Sequence, residues 1–207
     1  MKRIVLMALL ALALPLAAFA SSIDFTNSGG SLTGSSAGLT LSGSTLTVYT
    51  VNGGTPVTGN LGTLTFSTGA FSGSFQTGGT FAGGGSFVIA GNGTGGIPNG
   101  VIFTGSFDAS GGTWTELTLK NGTHNYTLTG TITGTWYNGT TVYGATTQLT
   151  INTAKEFNGH TPIKIGISSG DTNINVIHVV PEPGTLGLLG TGLVGIAGMF
   201  RRKLFGA

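Results

Sequence analysis

The chain has 207 residues, no cysteine, 39 glycines and only 7% charged residues. Its formal charge of +2 sits at its ends: residues 21–180 carry Lys120, Lys155 and Lys164 and no arginine, against Asp24, Asp108, Glu116, Glu156 and Asp171, a net −2. That balance excludes a basic nucleic-acid surface, and the missing cysteines exclude a disulfide framework. About 160 residues between the ends are enough for one core burying roughly 70% of the unfolded surface.

The N-terminus reads as a leader. Lys2-Arg3 are a positive start, Ile4 to Leu16 an apolar stretch interrupted late by Pro15, and Ala18-Phe19-Ala20 a small-x-small site ahead of Ser21. Signal peptidase is therefore an expected partner, with cleavage between Ala20 and Ser21. Residues 1–20 are a signal peptide on this reading, and 21–180 a single exported domain.

That domain has the composition of β structure. Gly, Thr and Ser dominate, and apolar residues alternate with threonine, as in Leu46-Thr47-Val48 and Leu64-Thr65-Phe66. Between residues 29 and 99 phenylalanines recur at 71, 75, 81 and 87 among glycine-rich turns, with no fixed repeat. Asn-Gly pairs at 52, 99, 121, 138 and 158 are candidates for the positive-φ positions of type I′ hairpins.

Two of these pairs predict a register. A two-residue turn at Asn121-Gly122 pairs Lys120 with Thr123 and Thr115 with Leu128, which gathers Leu117, Leu119, His124, Tyr126 and Leu128 on one face. Trp114 then falls on the polar face. A similar turn at Asn138-Gly139 sets Trp136 opposite Thr141, Gly134 opposite Tyr143 and Ile132 opposite Ala145, with Trp136 and Tyr143 on the buried face. A half-apolar meander needs a second sheet to cover it, so the expected architecture is an antiparallel β-sandwich, with an elongated sheet or irregular solenoid as the alternative.

Catalytic constellations are thin. His124 faces Leu119 in this register, His160 follows a turn and His178 lies near the tail, without metal-ligand spacing. The five acids are scattered, although Asp108 and Glu116 could approach across a loop. Gly69-Ala70-Phe71-Ser72-Gly73 places its serine one position late for a nucleophile elbow, and the Gly91–Gly96 run has no lysine after it. No metal, cofactor or catalytic residue is expected.

The C-terminus is the most specific part of the sequence. Pro181-Glu182-Pro183 is a rigid step. Thr185 to Phe200 is an uncharged apolar run, and Arg201-Arg202-Lys203 is a basic stop expected on the cytoplasmic side. From Gly184 to Phe200 a helix would span about 25 Å, slightly less than the ~30 Å hydrocarbon core. Such a marginal transmembrane helix suits a segment that is handed to an enzyme and discarded. In order and position these parts resemble the PEP-CTERM sorting domain, here residues 181–207. The resemblance implies that an exosortase, a membrane-embedded cysteine transpeptidase of bacteria that make extracellular polysaccharide, reads Pro181, Glu182 and Pro183.

Three function classes follow. The leading expectation is a noncatalytic cell-surface or matrix protein, exported through the inner membrane and associated with exopolysaccharide. The second is a carbohydrate-binding module, with Trp114 as the exposed aromatic contact. The third is a secreted hydrolase; an outer-membrane barrel ranks behind all three, because its lipid-facing strands would need apolar bands flanked by aromatic girdles and the C-terminal tag argues against it.

Overall fold

Threonine–apolar alternation becomes antiparallel strand through nearly all of the computed structural model, which describes residues 21–164 and 169–176. Ala18, Ala20, the Pro181–Pro183 step, the apolar run and Arg201–Lys203 lie outside the described residues, as does His178. Ser21 opens the first strand.

The strands are β1 (Ser21–Ser28), β2 (Ser31–Ser35), β3 (Gly38–Val51), β4 (Val57–Ser67), β5 (Phe71–Ser74), β6 (Gly78–Phe81) and β7 (Gly84–Asn92). They continue with β8 (Asn99–Thr118), β9 (His124–Trp136), β10 (Thr141–Thr153), β11 (Ile163–Lys164) and β12 (Ser169–Val176). Eight of them hydrogen-bond in the order β1, β12, β10, β9, β8, β7, β4, β3, and β3 pairs back onto β1. The result is a closed antiparallel barrel.

The all-β antiparallel expectation stands, but the two-sheet sandwich is corrected to a barrel. The reason lies in β3, whose edge is shared. Its first half pairs with β2 and its second half with β1, and the chain bends between them at Gly29-Gly30, with φ of 71° and 98°. The free edge of β1 accepts β12, so one curled sheet covers its own apolar face and needs no second layer.

Glycine makes room inside. Phe103 and Phe107 of β8 fold over Gly134 and Gly130 of β9, where an added Cβ would come within 2.6 and 2.8 Å of the rings. Pairing a large side chain with an absent one is how a small barrel fills its taper. Phe66 and Phe87 stack at 5.9 Å beside them. Buried polar groups on the β1–β3 wall find partners: Asn27 Nδ2 donates to Ser44 Oγ at 2.7 Å, and Ser44 donates to the carbonyl of Ser28 at 3.2 Å.

The loops decide which side each residue faces. Asn52 and Gly53 have φ of 51° and 64°, with Gly54 N–H bonded to the Val51 carbonyl, the type I′ geometry expected of an Asn-Gly pair. At Asn121-Gly122 the loop has three residues instead. Gly122 N–H bonds the Leu119 carbonyl, Leu119 N–H bonds the Thr123 carbonyl, and Gly122 takes φ 77°. The pairing becomes Thr118 with His124 and Trp114 with Leu128, one residue from the expected register. A slip of one turns every side chain of β8 over. Leu117 and Leu119 therefore point to solvent, 61% and 39% exposed, and Trp114 is buried at 1%.

The Asn138-Gly139 loop repeats this geometry, pairing Thr135 with Thr141. One extra residue between Val142 and Ala145, with Gly144 at φ 68°, then restores the expected partnership of Ile132 with Ala145. Trp136 stays inside. Tyr143, expected on the buried face, is turned out by the bulge and is 72% exposed.

Candidate functional site

Trp114 is not a surface contact. Its ring lies among Phe75, Phe81, Tyr126 and Phe157, and its Nε1 donates to the Phe75 carbonyl at 2.9 Å. Among the described residues the exposed aromatic rings are Tyr137 and Tyr143, and Tyr137 is tilted 57° from its neighbour Trp136.

His124 and Glu116 come together across β8 and β9, with Nδ1 2.9 Å from Oε1. Thr118 donates its hydroxyl to the same carboxylate oxygen at 2.6 Å. These bonds, Thr118 first and His124 second, hold the Glu116 carboxyl below its ordinary value. Thr118 Oγ1 also approaches His124 at Nδ1, at 3.3 Å. A relay needs the acid on one imidazole nitrogen and the nucleophile on the other, and here both sit on Nδ1. Asp108 does not join them: its partners are the hydroxyl and amide of Ser110, and those bonds lower its pKa. His160 is exposed in the Asn158-Gly159 loop.

A concave feature lies elsewhere, on the outer wall formed by β8, β9, β10, β12 and β1. It is a trough of about 670 Å³. Strand alternation builds it. Inward-facing Phe25, Thr172, Thr147, Gly130 and Gly112 leave their backbones as its floor, and the residues on either side of each form two walls. One wall follows cross-strand partners Thr131, Thr146, Asn173 and Asp24, with Ser110 bonded to Thr131 at 3.0 Å. The other follows Thr113, Thr129, Gln148, Asp171 and Thr26.

Hydrogen bonds fix the flanks of both walls. Thr113 and Thr129 share one at 2.6 Å, Thr26 donates to Asp171 at 2.8 Å, and Asn173 donates to Asp24. Thr146 and Gln148, on the middle strand, are exposed and take no part in these bonds. At one end β8 bulges, with five steps from Phe107 to Gly112 against two on β9, and brings Ser110 to the edge of the trough, its hydroxyl and amide bonded to Asp108. Sequence reasoning missed this feature. Its signal was the run of threonines at alternate positions 127–135 opposite Leu128, Ile132 and Trp136.

The model for the PEP-CTERM protein-sorting motif matches residues 179–203. No curated protein and no solved structure matches the chain. The resemblance read from Pro181, Glu182, Pro183 and the basic cluster is thus shown, confined to the tail. A sorting signal of this kind indicates export across the inner membrane to the cell envelope or surface, with processing by an exosortase-type membrane enzyme.

Proposed function

We propose that residues 21–180 are a noncatalytic surface or matrix domain, freed of its leader by signal peptidase at Ala20–Ser21 and of its tail near Pro181, and associated with exopolysaccharide. The observation that carries this reading is a barrel filled by its own side chains, ahead of a PEP-CTERM sorting motif, whose outer wall is mostly threonine with asparagine, glutamine, serine and two aspartates. Hydroxyl and amide groups exchange hydrogen bonds readily with a hydrated glycan layer. A lipid-facing barrel would need an apolar outer band in place of this wall.

The noncatalytic part of the proposal is supported by the His124 geometry and by the separation of Asp108 from Glu116. A carbohydrate-binding module remains the alternative, now without Trp114, since the aromatic platform it would need has lost its best member to the core.

The test is intact mass and C-terminal mapping of protein from the native envelope and medium, with parallel fractions from cells unable to make exopolysaccharide. A product running from Ser21 to about Pro181, retained only when polysaccharide is present, is expected. A product keeping Arg201–Lys203 in the membrane fraction would overturn the matrix reading in favour of a tethered envelope protein.

A further inference from the structure

We propose that the trough across β8, β9, β10, β12 and β1 is a binding site for an extended, uncharged polysaccharide chain, lying perpendicular to the strands. This rests on the exopolysaccharide reading above and assigns it a place and a charge preference. Five strands span about 19 Å between the outer two, and the walls, two residues apart on β9, β10, β12 and β1, stand about 7 Å from each other. That is a slot for several sugar units in a row, not for a single monosaccharide. Its 670 Å³ lies within the range of ligand clefts.

The chemistry of the walls selects the ligand. Each strand presents one pair of polar side chains at the strand spacing, so a repeating chain meets a repeating set of donors and acceptors. The flanking pairs are already bonded to each other and lose little freedom on binding. Thr146 and Gln148, at the centre of the slot, take no part in the bonds of the flanking pairs, so their full hydrogen-bonding capacity is open to a ligand. Asp24 and Asp171 line it and Asp108 stands on the bulge at its end, while no lysine or arginine among the described residues lines it. Carboxylates facing a uronate or sulfate chain repel it, whereas they accept hydrogen bonds from neutral sugar hydroxyls.

The experiment uses the full chain extracted from its host in mild detergent and run through native gels containing galactomannan, dextran or alginate. Retardation by at least one neutral polymer and not by alginate is expected. The Thr146→Val/Gln148→Val variant, which keeps β propensity, should lose at least about fivefold in apparent affinity, the equivalent of one net hydrogen bond. Its thermal melt must match the parent chain; if it does not, Gln148→Ala alone is the reporter. Tyr143→Ala, within the β10 bulge and outside the lining of the trough, should be retarded like the parent. Absence of retardation by both neutral polymers, equal retardation by alginate, or sensitivity to Tyr143→Ala in place of the double change would each overturn the proposal. Fractionation of the same cells separates the two readings. Protein found outside the inner membrane with no retardation sinks the trough alone, and protein found in the cytoplasm sinks the exported-surface reading beneath it.

Discussion

The indole of Trp114 lies nearly flat on the ring of Tyr126, centroids 5.3 Å apart and planes 10° from parallel. Each ring uses its polar end to hold a different loop. Trp114 Nε1 bonds the Phe75 carbonyl between β5 and β6, and Tyr126 Oη accepts the Phe157 N–H at 3.0 Å beyond β10. Replacing Trp114 with Ala is therefore expected to cost about 3–5 kcal/mol, the range for deleting a buried aromatic. A chemical melt with an unchanged midpoint would show that the ring is dispensable.

Tyr126→Phe isolates the second half of the pair. The stack survives, but a buried N–H at Phe157 loses its partner, which costs about 1–3 kcal/mol. Hydrogen exchange at the Phe157 amide should accelerate more than at Leu128. Equal protection of both amides would contradict the assigned bond.

Leu117 and Leu128 test the register. The first is 61% exposed and the second fully buried. Leu117→Thr should stay within about 0.5 kcal/mol of the parent, as surface changes do, while Leu128→Thr should lose several times that. The reverse ranking would restore the two-residue turn at Asn121-Gly122.

Gly122→Ala probes the loop itself. An added Cβ would meet no atom within 4 Å, so the cost is confined to the φ of 77°. About 1 kcal/mol is expected, or a fall in Tm of roughly 2–4 °C for a domain of this size. No change in Tm would mean the loop can relax to another turn.

Acid stability follows from Asp108 and Glu116. Both carboxyls are held below their ordinary values by hydrogen bonds to the charged form. The folded state then binds fewer protons than the unfolded one. The stability this gives is present above the unfolded value, about 4, and is lost as pH falls through the depressed folded values. Both side chains are partly exposed, so solvent screening keeps the contribution small. Asp108→Asn/Glu116→Gln should show a shallower fall in Tm between about pH 5 and about pH 2. A fall as steep as the parent's would assign the acid sensitivity to other groups.

The sequence was most readable where alternation was strict. In β9 the inward set Tyr126, Leu128, Ile132 and Trp136 follows directly from the pattern, because one buried face admits one phase. In β8 the pattern misled. Leu117 and Leu119 outvoted Trp114, and an Asn-Gly pair suits both the central positions of a type I′ turn and the end of a three-residue loop. Those two loops differ by one residue and by every side-chain direction beyond them. Closure into a barrel was not visible either, since it depends on β12 finding β1 across most of the domain. The trough needed that closure, because its walls come from both ends of the chain.

The pairing of Ser21 with Val176 brings the first and last residues of the barrel side by side. Until β12 has crossed the membrane, β1 and β10 each carry an open row of backbone donors and acceptors, the kind of edge that recruits other chains. Contacts of this sequence separation also form late. Assembly of the barrel is therefore a clock set by translocation: its last seam can be sewn only after β12 is through.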